Sequence, residues 1–339
     1  MNKVLPAALM GLAMLASCAK LTTQTDGQFA QSYYNLWCST NYPNLKAEDS
    51  GILILEDTPG TGEEWTSDYP YVLNEFSIRN FSGTITSTSD KKLAQQLGTY
   101  SPSYYYGPSY QQVGENHCTA AFEAVLKGMR VGGTRTAAVP AWLITNSRYD
   151  SESGYVNANS SNTHYIYTVK LEGMTADIVA TETDSLKNYV KRVYGADVKP
   201  STFTDSDPDG TFYFISDSTA FKGKEKRDST ATLKLNYTGR LLDGTVFDTT
   251  VEYTAKEAGT YNYSTYSPVS ITFSSNYNNI KMGDSSELID GFKGGLSLMK
   301  WPGQKAVIIF TSALGYGESG SGDAIPSFAP LLFELELLQ

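Results

Sequence analysis

Apolar and polar residues alternate along Ala231-Thr232-Leu233-Lys234-Leu235-Asn236-Tyr237, the period of two expected for a half-buried strand. Leu242-Asp243-Gly244-Thr245 follows as a turn signal, and Lys305 to Phe310 and Leu331 to Leu337 read as two further strands. Between Ser286 and Met299 the period changes: Leu288, Phe292, Leu296 and Met299 recur at helical spacing. One short helix among antiparallel strands predicts an α+β unit with the helix on one face of the sheet. Two longer helical stripes precede such units. Gln28 to Trp37 sets Phe29, Tyr33, Leu36 and Trp37 on one face. Asp184-Ser185 opens a second stripe of Leu186, Tyr189, Val190 and Val193, stopped by Gly195. Pro200 to Asp209 is polar and rich in Pro and Asp, as a linker would be.

The strand-and-helix unit occurs twice. Asp49-Ser50-Gly51-Ile52-Leu53-Ile54-Leu55 matches Asp209-Gly210-Thr211-Phe212-Tyr213-Phe214-Ile215, and Phe76 to Ile85 matches Tyr237 to Val246. Ala121-Phe122-Glu123 through Met129 matches Gly291-Phe292-Lys293 through Met299, and His164 to Leu171 matches Pro330 to Leu337. Ordered matches over a domain length indicate tandem domains, and two copies are too few for a solenoid.

The second copy carries a recognisable series. Asn236-Tyr237-Thr238-Gly239-Arg240-Leu241 with Asp243-Gly244-Thr245-Val246-Phe247-Asp248-Thr249 resembles the Y-T-G-x-L…D-G-x-x-F-D-S run of FKBP domains. Glu287-Leu288-Ile289-Asp290-Gly291-Phe292, then Gly295-Leu296 and Met299, resembles their V-I-x-G-W…G-L…M helix start. Trp301-Pro302-Gly303-Gln304-Lys305-Ala306, Gly315-Tyr316-Gly317, Ile325-Pro326 and Leu332-Phe333-Glu334-Leu335-Glu336-Leu337-Leu338 resemble, in order, the family's remaining motifs. The resemblance implies two tandem FKBP-like domains, each a curved antiparallel β-sheet packed on a short α-helix with a leading helical segment. It also implies peptidyl-prolyl cis-trans isomerase activity without a cofactor. Tyr237, Phe247, Ile289, Phe292 and Phe333 would line the pocket, with Leu288, Ile325 and Val269 contacting substrate. Tyr316 would give its hydroxyl, and the Ile289 N–H its proton, to substrate carbonyls, while Asp248 would sit at the rim. These residue types suit the chemistry. Rotating an X-Pro bond breaks amide resonance over a barrier of about 18–20 kcal/mol, and an apolar wall favours the less charge-separated twisted amide.

Two features depart from the family pattern. Phe292 stands where the pocket floor is usually Trp, which implies an altered rate more than a lost one. Thr250 to Pro268 is longer than usual and carries Tyr253, Tyr261, Tyr263 and Tyr266, either as a plain surface loop or as a cover for the pocket mouth. The first copy has lost the chemistry: Phe76, Thr86 and Ser87 align with Tyr237, Phe247 and Asp248, and Thr145 falls near the position of Tyr316. Only Phe122 and Tyr167 keep the pocket character. The first copy also holds a Tyr/Pro/Gly/Ser insertion, Gly98 to Tyr110, of the kind that serves recognition or stays disordered. It is read as a scaffold or partner-binding module.

The N-terminus adds a compartment. Lys3, the apolar run Val4 to Leu15, and Leu15-Ala16-Ser17-Cys18 form a cleaved signal too short to span a bilayer, and the last four residues resemble a lipobox with lipid on Cys18. The expected map is 1–17 signal peptide, 18–45 tether and leading helix, 46–178 degenerate domain, 179–204 linker helix and linker, and 205–339 isomerase domain. Residues 19–22 lack an acidic run, which favours the periplasmic face of the outer membrane. A formal charge of −10 argues against nucleic acid and anionic lipid surfaces as partners. His117 and His164 are isolated, so no metal site is expected; Cys38 and Cys118 could pair in an oxidising compartment. The leading function is an envelope isomerase acting on proline-containing polypeptide clients. The rival is a non-catalytic lipoprotein whose aromatic loops grip peptides or glycans on an FKBP-like frame. A dimeric chaperone built through the leading helices leaves no mark in the sequence.

Overall fold

The computed structural model describes residues 24–149, 151–158, 163–203, 210–263 and 266–338. The signal segment, Cys18 and most of the Pro200 to Asp209 linker lie outside the described residues.

The first domain has six strands: β1 (Leu53–Thr58), β2 (Tyr71–Asn80), β3 (Ile85–Thr88), β4 (Ser109–Gln112), β5 (Thr134–Val139) and β6 (Tyr165–Thr175). The second has seven: β7 (Phe212–Ile215), β8 (Thr232–Leu241), β9 (Val246–Thr249), β10 (Val269–Thr272), β11 (Lys281–Met282), β12 (Lys305–Phe310) and β13 (Leu331–Leu337). The first sheet runs β1-β5-β6-β2-β3 with β4 also on β2. The second runs β11-β10-β8-β13-β12-β7 with β9 also on β8. All pairings are antiparallel. The repeat therefore extends to topology: β1, β5, β6, β2, β3 and β4 take the places of β7, β12, β13, β8, β9 and β10.

Register makes the correspondence residue-specific. Phe76 on β2 faces Val169 and Ile78 faces Tyr167; Tyr237 on β8 faces Leu335 and Gly239 faces Phe333. Ser87 pairs with Ile78 as Asp248 pairs with Gly239, and both hairpins shift register at the next residue, leaving Thr86 and Phe247 in the bulge. The aligned losses of Tyr237, Phe247 and Asp248 are thus also spatial equivalences.

Helices cover both faces of each sheet. On the inner face lie α3 (Ala120–Leu126) in the first domain and α8 (Asp290–Leu298) in the second. Phe292 and Leu296 of α8 enter a core with Leu235, Ile308, Phe310, Leu331 and Leu335. Gly291 and Gly295 let α8 lie directly on the sheet. A Cβ at Gly291 would sit 2.5 Å from the Phe310 ring, and one at Gly295 would sit 2.6 Å from Ile308. Each such glycine costs a helix about 1 kcal/mol of propensity, offset here by the contact it permits.

On the outer faces lie α1 (Asp26–Asn41) and α6 (Ile178–Val193). Leu186 and Val190 of α6 pack on Tyr213, Ile309 and Leu332, which explains why Ala306 to Phe310 of β12 and Leu331 to Phe333 of β13 are continuously apolar, whereas Glu334 and Glu336 alternate with leucines beyond them. The stripe at Leu186, Tyr189 and Val190 is the packed one, but Val193 is exposed. The helix also starts earlier than Asp184, because the Asp177 side chain accepts from the Ala180 N–H and caps it. For α1 the predicted face holds only at Trp37, which packs beneath the helix and stacks on Phe81 at 4.0 Å. Phe29 is 68% exposed, with Tyr33 and Leu36 also outward, while Ala30 and Tyr34 are buried. The Tyr34 hydroxyl decides this rotation by donating within reach of both Gly51 and Ala138 carbonyls, at 3.0 Å each. A capping box between Thr25 and Gln28 closes the helix start.

The domains also meet. Tyr105 of the Gly98–Tyr110 insertion packs against the second core, and its N–H donates to the Asp323 carbonyl at 2.8 Å. Burial pushes the Tyr105 phenol up to about 12. Tyr71 meets Phe328 edge to face at 5.3 Å. The insertion is therefore neither disordered nor wholly free for recognition. Other α-helices, α2 (Lys91–Leu97), α4 (Ala141–Ile144), α5 (Glu152–Asn157) and α7 (Glu252–Ala258), are short. Cys38 and Cys118 are both free thiols, so the pairing open in the sequence does not form.

One buried charge ties α6 to the second domain. Glu182 is 3% exposed, and its carboxylate accepts from the Ser312 N–H and hydroxyl, both at 2.6 Å. Burial raises its pKa above the ordinary 4.5, against the opposing effect of the Ser312 hydrogen bonds. The folded state thus holds this proton more tightly than the unfolded chain. Stability from this group is full below the ordinary carboxyl range and falls as pH rises through the raised value. Glu182→Ala should lose about 1–3 kcal/mol by leaving the Ser312 N–H buried without an acceptor. In urea melts over a pH series, Glu182→Gln should keep the fold and flatten that decline; an unchanged pH slope would remove Glu182 as its source.

Candidate active site

A cavity of about 410 Å³ opens beside α8 in the second domain. Its walls contain all seven residues expected at the centre, Tyr237, Phe247, Asp248, Ile289, Phe292, Tyr316 and Phe333, together with Leu288 and Ile325. Val269 is not among them. On β10 it pairs with Leu235 and packs on the core, so it supports the sheet and does not meet the cavity. Met282, Glu287, Ser321 and Ala324 also line the cavity without being expected there. The Ile325-Pro326 motif marked the loop that brings Ser321 and Ala324, whereas Met282 reaches the site only through the β10–β11 hairpin.

The floor is a set of rings in mutual edge contact. Phe292 meets Phe333 at 5.0 Å and Tyr237 at 5.7 Å, and Phe247 meets Phe333 at 5.5 Å with planes 83° apart. These edge-to-face geometries add about 0.5–1.5 kcal/mol per pair beyond area burial. Phe292 supplies the floor that a larger ring would fill. The Phe247 ring lies over Gly239, where a Cβ would stand 2.3 Å from Phe247 Cε2 and 3.0 Å from Phe333.

Polar groups are confined to the rim. The Tyr237 hydroxyl donates to Asp248 Oδ2 at 2.6 Å. Burial first, then the Asp248 carboxylate, holds the Tyr237 phenol far above its ordinary value, so it remains a neutral donor. Tyr316 is likewise shifted upward by burial and by Asp248. Its hydroxyl has no hydrogen-bond partner among the described residues, which leaves it available to a ligand carbonyl. Ile289 is the N-cap of α8 in extended conformation. Its N–H is one of the helix-start amides that have no acceptor within the helix. The cavity thus offers an apolar floor, the Tyr316 hydroxyl and Ile289 N–H as donors, the Ser321 hydroxyl, the Glu287 carboxylate and the internally engaged Asp248, with no nucleophile activated by a base.

Tyr253, Tyr261, Tyr263 and Tyr266 do not line this mouth. After α7 the rings gather on themselves, with Tyr261 5.2 Å from Tyr263 and 5.5 Å from Tyr266. Tyr253 instead borders a separate groove shared with Tyr100, Tyr104 and Tyr106 of the first domain.

Because Phe247 and Phe333 occupy the space beside Gly239, Gly239→Ala should push Phe247 out of its wall position. Binding of a ligand to the cavity, followed by quenching of Tyr and Trp fluorescence, should weaken by about tenfold, the size of a 1.4 kcal/mol loss. Unchanged binding with an intact fold would show that the close approach does not shape the site.

A family model for FKBP-type peptidyl-prolyl cis-trans isomerase matches residues 223–338. The FK506-binding protein of Neisseria meningitidis serogroup C is 32% identical over 120 residues, covering 35% of this chain and 83% of that protein. A probable FKBP-type peptidyl-prolyl cis-trans isomerase of Haemophilus influenzae is 34% identical over 110 residues, 32% of this chain and 35% of its relative. The chain thus spans about a third of the length of the Haemophilus protein. A crystal structure of the three FKBP domains of wheat FKBP73 aligns with 87% of this chain and 98% of its own at 17% identity, with a TM-score of 0.28. On the Neisseria match and the family model together, the chain belongs to the FKBP-type peptidyl-prolyl cis-trans isomerase family.

Proposed function

We propose that the second domain catalyses cis-trans isomerisation of X-Pro bonds in polypeptide clients, and that the first domain does not. The observation that carries this reading is the edge-packed aromatic cavity of Tyr237, Phe247, Phe292 and Phe333, with the Tyr316 hydroxyl and Ile289 N–H at its rim. A prolyl ring buried on Phe292 would leave its preceding amide between these donors. Desolvation disfavours the planar, charge-separated amide more than the twisted one, so the wall lowers the barrier without covalent chemistry. Asp248, held by Tyr237, orients that ring and transfers no proton. In the first domain Thr86 and Ser87 stand at the Phe247 and Asp248 positions, so the wall and the acceptor are both missing there.

The residues divide the work unequally. Phe247→Ala should slow a protease-coupled X-Pro assay more than Tyr316→Phe does. The hydroxyl is a single hydrogen bond worth about 0.5–1.5 kcal/mol net, which bounds its loss at roughly tenfold in rate. Asp248→Asn should change the rate little at any pH. An acid limb abolished by that substitution would assign Asp248 to general acid-base work instead. Thermal melts must accompany these assays, since truncating a packed Phe can remove about 3–5 kcal/mol of stability. A well-folded Phe247→Ala at full rate would favour a non-catalytic binding protein.

The clients we propose are proteins of the cell envelope, reached from a lipid anchor on Cys18 at the periplasmic face of the outer membrane. Support for this rests on Leu15-Ala16-Ser17-Cys18 after an apolar run. Among the described residues no helix is long and apolar enough to cross a membrane. Cys18→Ser should abolish acyl labelling and move the protein out of the membrane fraction, with Cys38→Ser as the unaffected control. Persistent labelling of Cys18→Ser would end the lipoprotein reading.

A further inference from the structure

The domain without the chemistry holds the larger cavity. About 570 Å³ opens between β2, β6 and the start of α3, lined by Phe76, Ile78, Phe122, Tyr167 and Val169. Register places Phe76, Tyr167 and Val169 where the second domain has Tyr237, Phe333 and Leu335, and Phe122 sits on α3 as Phe292 sits on α8. The cavity is therefore the isomerase pocket of the first copy, kept open and re-lined. Its aromatic floor survives, but the ring that would wall it is gone, because Thr86 fills the bulge that Phe247 fills in the other copy. A frame that had only a structural duty would gain by filling the cavity, since the apolar side chains of the floor have no packing partner on their open side.

The rim has changed in kind. Beside the Glu115 carboxylate, the Cys118 thiol and the Thr119 hydroxyl, it carries the amides of Gln111, Asn116 and Asn146. Amides both donate and accept, which suits an extended backbone whose N–H and C=O groups alternate. Glycan binding would call for rings exposed face-on at the rim, whereas here the rings form the floor. The first cavity also adjoins the second. His117 at its mouth bonds Glu318 at 2.6 Å, and Glu318 lies two residues beyond Tyr316 of the isomerase site. Phe328, whose N–H donates to the Gly317 carbonyl, packs on Tyr71 from the first domain. The two mouths thus share one edge.

From these features we infer that the first-domain cavity is a second polypeptide-binding site, taking an apolar side chain of an extended, unfolded client while the second domain works on a nearby proline. The inference rests on the proposed isomerase reading only for the role of the neighbouring pocket. Binding here stabilises planar and twisted amides alike, so it holds the chain without accelerating the turn. Tethering a chain at one site raises its effective concentration at the other, by factors of 10² or more for well-matched spans.

The test uses the full chain and two substitutions at exposed rim positions, Asn116→Trp and Asn146→Trp, which plug the mouth and leave both cores untouched. The probe is reduced, carboxymethylated α-lactalbumin, a permanently unfolded chain, followed by fluorescence anisotropy. Each substitution should weaken its binding by about tenfold or more. Turnover of a chromogenic X-Pro tetrapeptide, too short to reach both mouths, should stay within about twofold of the parent. Unchanged affinity for the unfolded chain in both well-folded variants overturns the inference. So does affinity for oligosaccharides that the substitutions abolish while unfolded-chain binding persists, or unfolded-chain binding in the parent that strengthens on removal of residues 1–22, as a self-occupied cavity would show. A parent protein inactive on the tetrapeptide, yet binding the unfolded chain in a rim-sensitive way, would defeat the isomerase proposal and support this one.

Discussion

The close approach of backbone to ring at Gly239 is the constraint on which the site depends. Only a residue without a Cβ lets Phe247 fold inward over β8 and meet Phe333 at a right angle. That contact fixes Phe333 against Phe292 and Phe310, and so couples the cavity wall to the floor and the floor to the core. The glycines of α8 act in the same sense from the other side, by bringing Phe292 down onto the sheet. Cavity shape is therefore set by backbone positions that contribute no side chain at all. It is a property of packing density, where a change of one methyl is felt.

The first domain shows what happens when that constraint is released. Ile78 occupies the Gly239 position and Thr86 the Phe247 position, so volume lost from the bulge reappears on the strand. The exchange keeps the sheet, the register shift and the inner helix while removing the wall. Both copies thus solve the same packing problem with opposite placements of bulk, and only one placement puts a ring across the cavity wall. Two cavities of different character on one frame then follow from a pair of compensating residues, without any change of fold.

Much of this was available from the residues alone, for identifiable reasons. The bounds of β12 and β13 are legible because β12 and the start of β13 are short apolar runs, and the rest of β13 alternates Glu334 and Glu336 with Leu335 and Leu337, patterns that are local to each strand. The central residues were found because the Tyr237-to-Thr249 hairpin is contiguous, so its turn fixes which side chains converge. Val269 was misplaced since β10 arrives after an insertion, and nothing local sets its register. The rotation of α1 was missed because it depends on two carbonyls, Gly51 and Ala138, distant in sequence from Tyr34. Periodicity in a helix apolar on several sides names candidates for the buried face without choosing between them. The Tyr105 contact with Asp323 was invisible for the same reason.

What these non-local contacts share is their target. Glu182 of α6 bonds Ser312, Tyr105 bonds Asp323, and His117 bonds Glu318. All three partners lie on the stretch between β12 and β13 that carries Tyr316, Ala324 and Ile325 into the cavity. This stretch has little regular structure of its own beyond two 3₁₀ turns, Ser312–Leu314 and Gly317–Ser319, and Phe328 sits there at a φ of 56°. A non-glycine residue in that region is strained by about 1–3 kcal/mol unless its surroundings hold it, and the Tyr71 ring and the Gly317 carbonyl do so. Aromatic residues of the second domain thus form the floor of its cavity, whereas much of the support for the opposite rim comes from α6 and the first domain. The duplicated domain is in this sense part of the site's rigidity, independent of anything it binds.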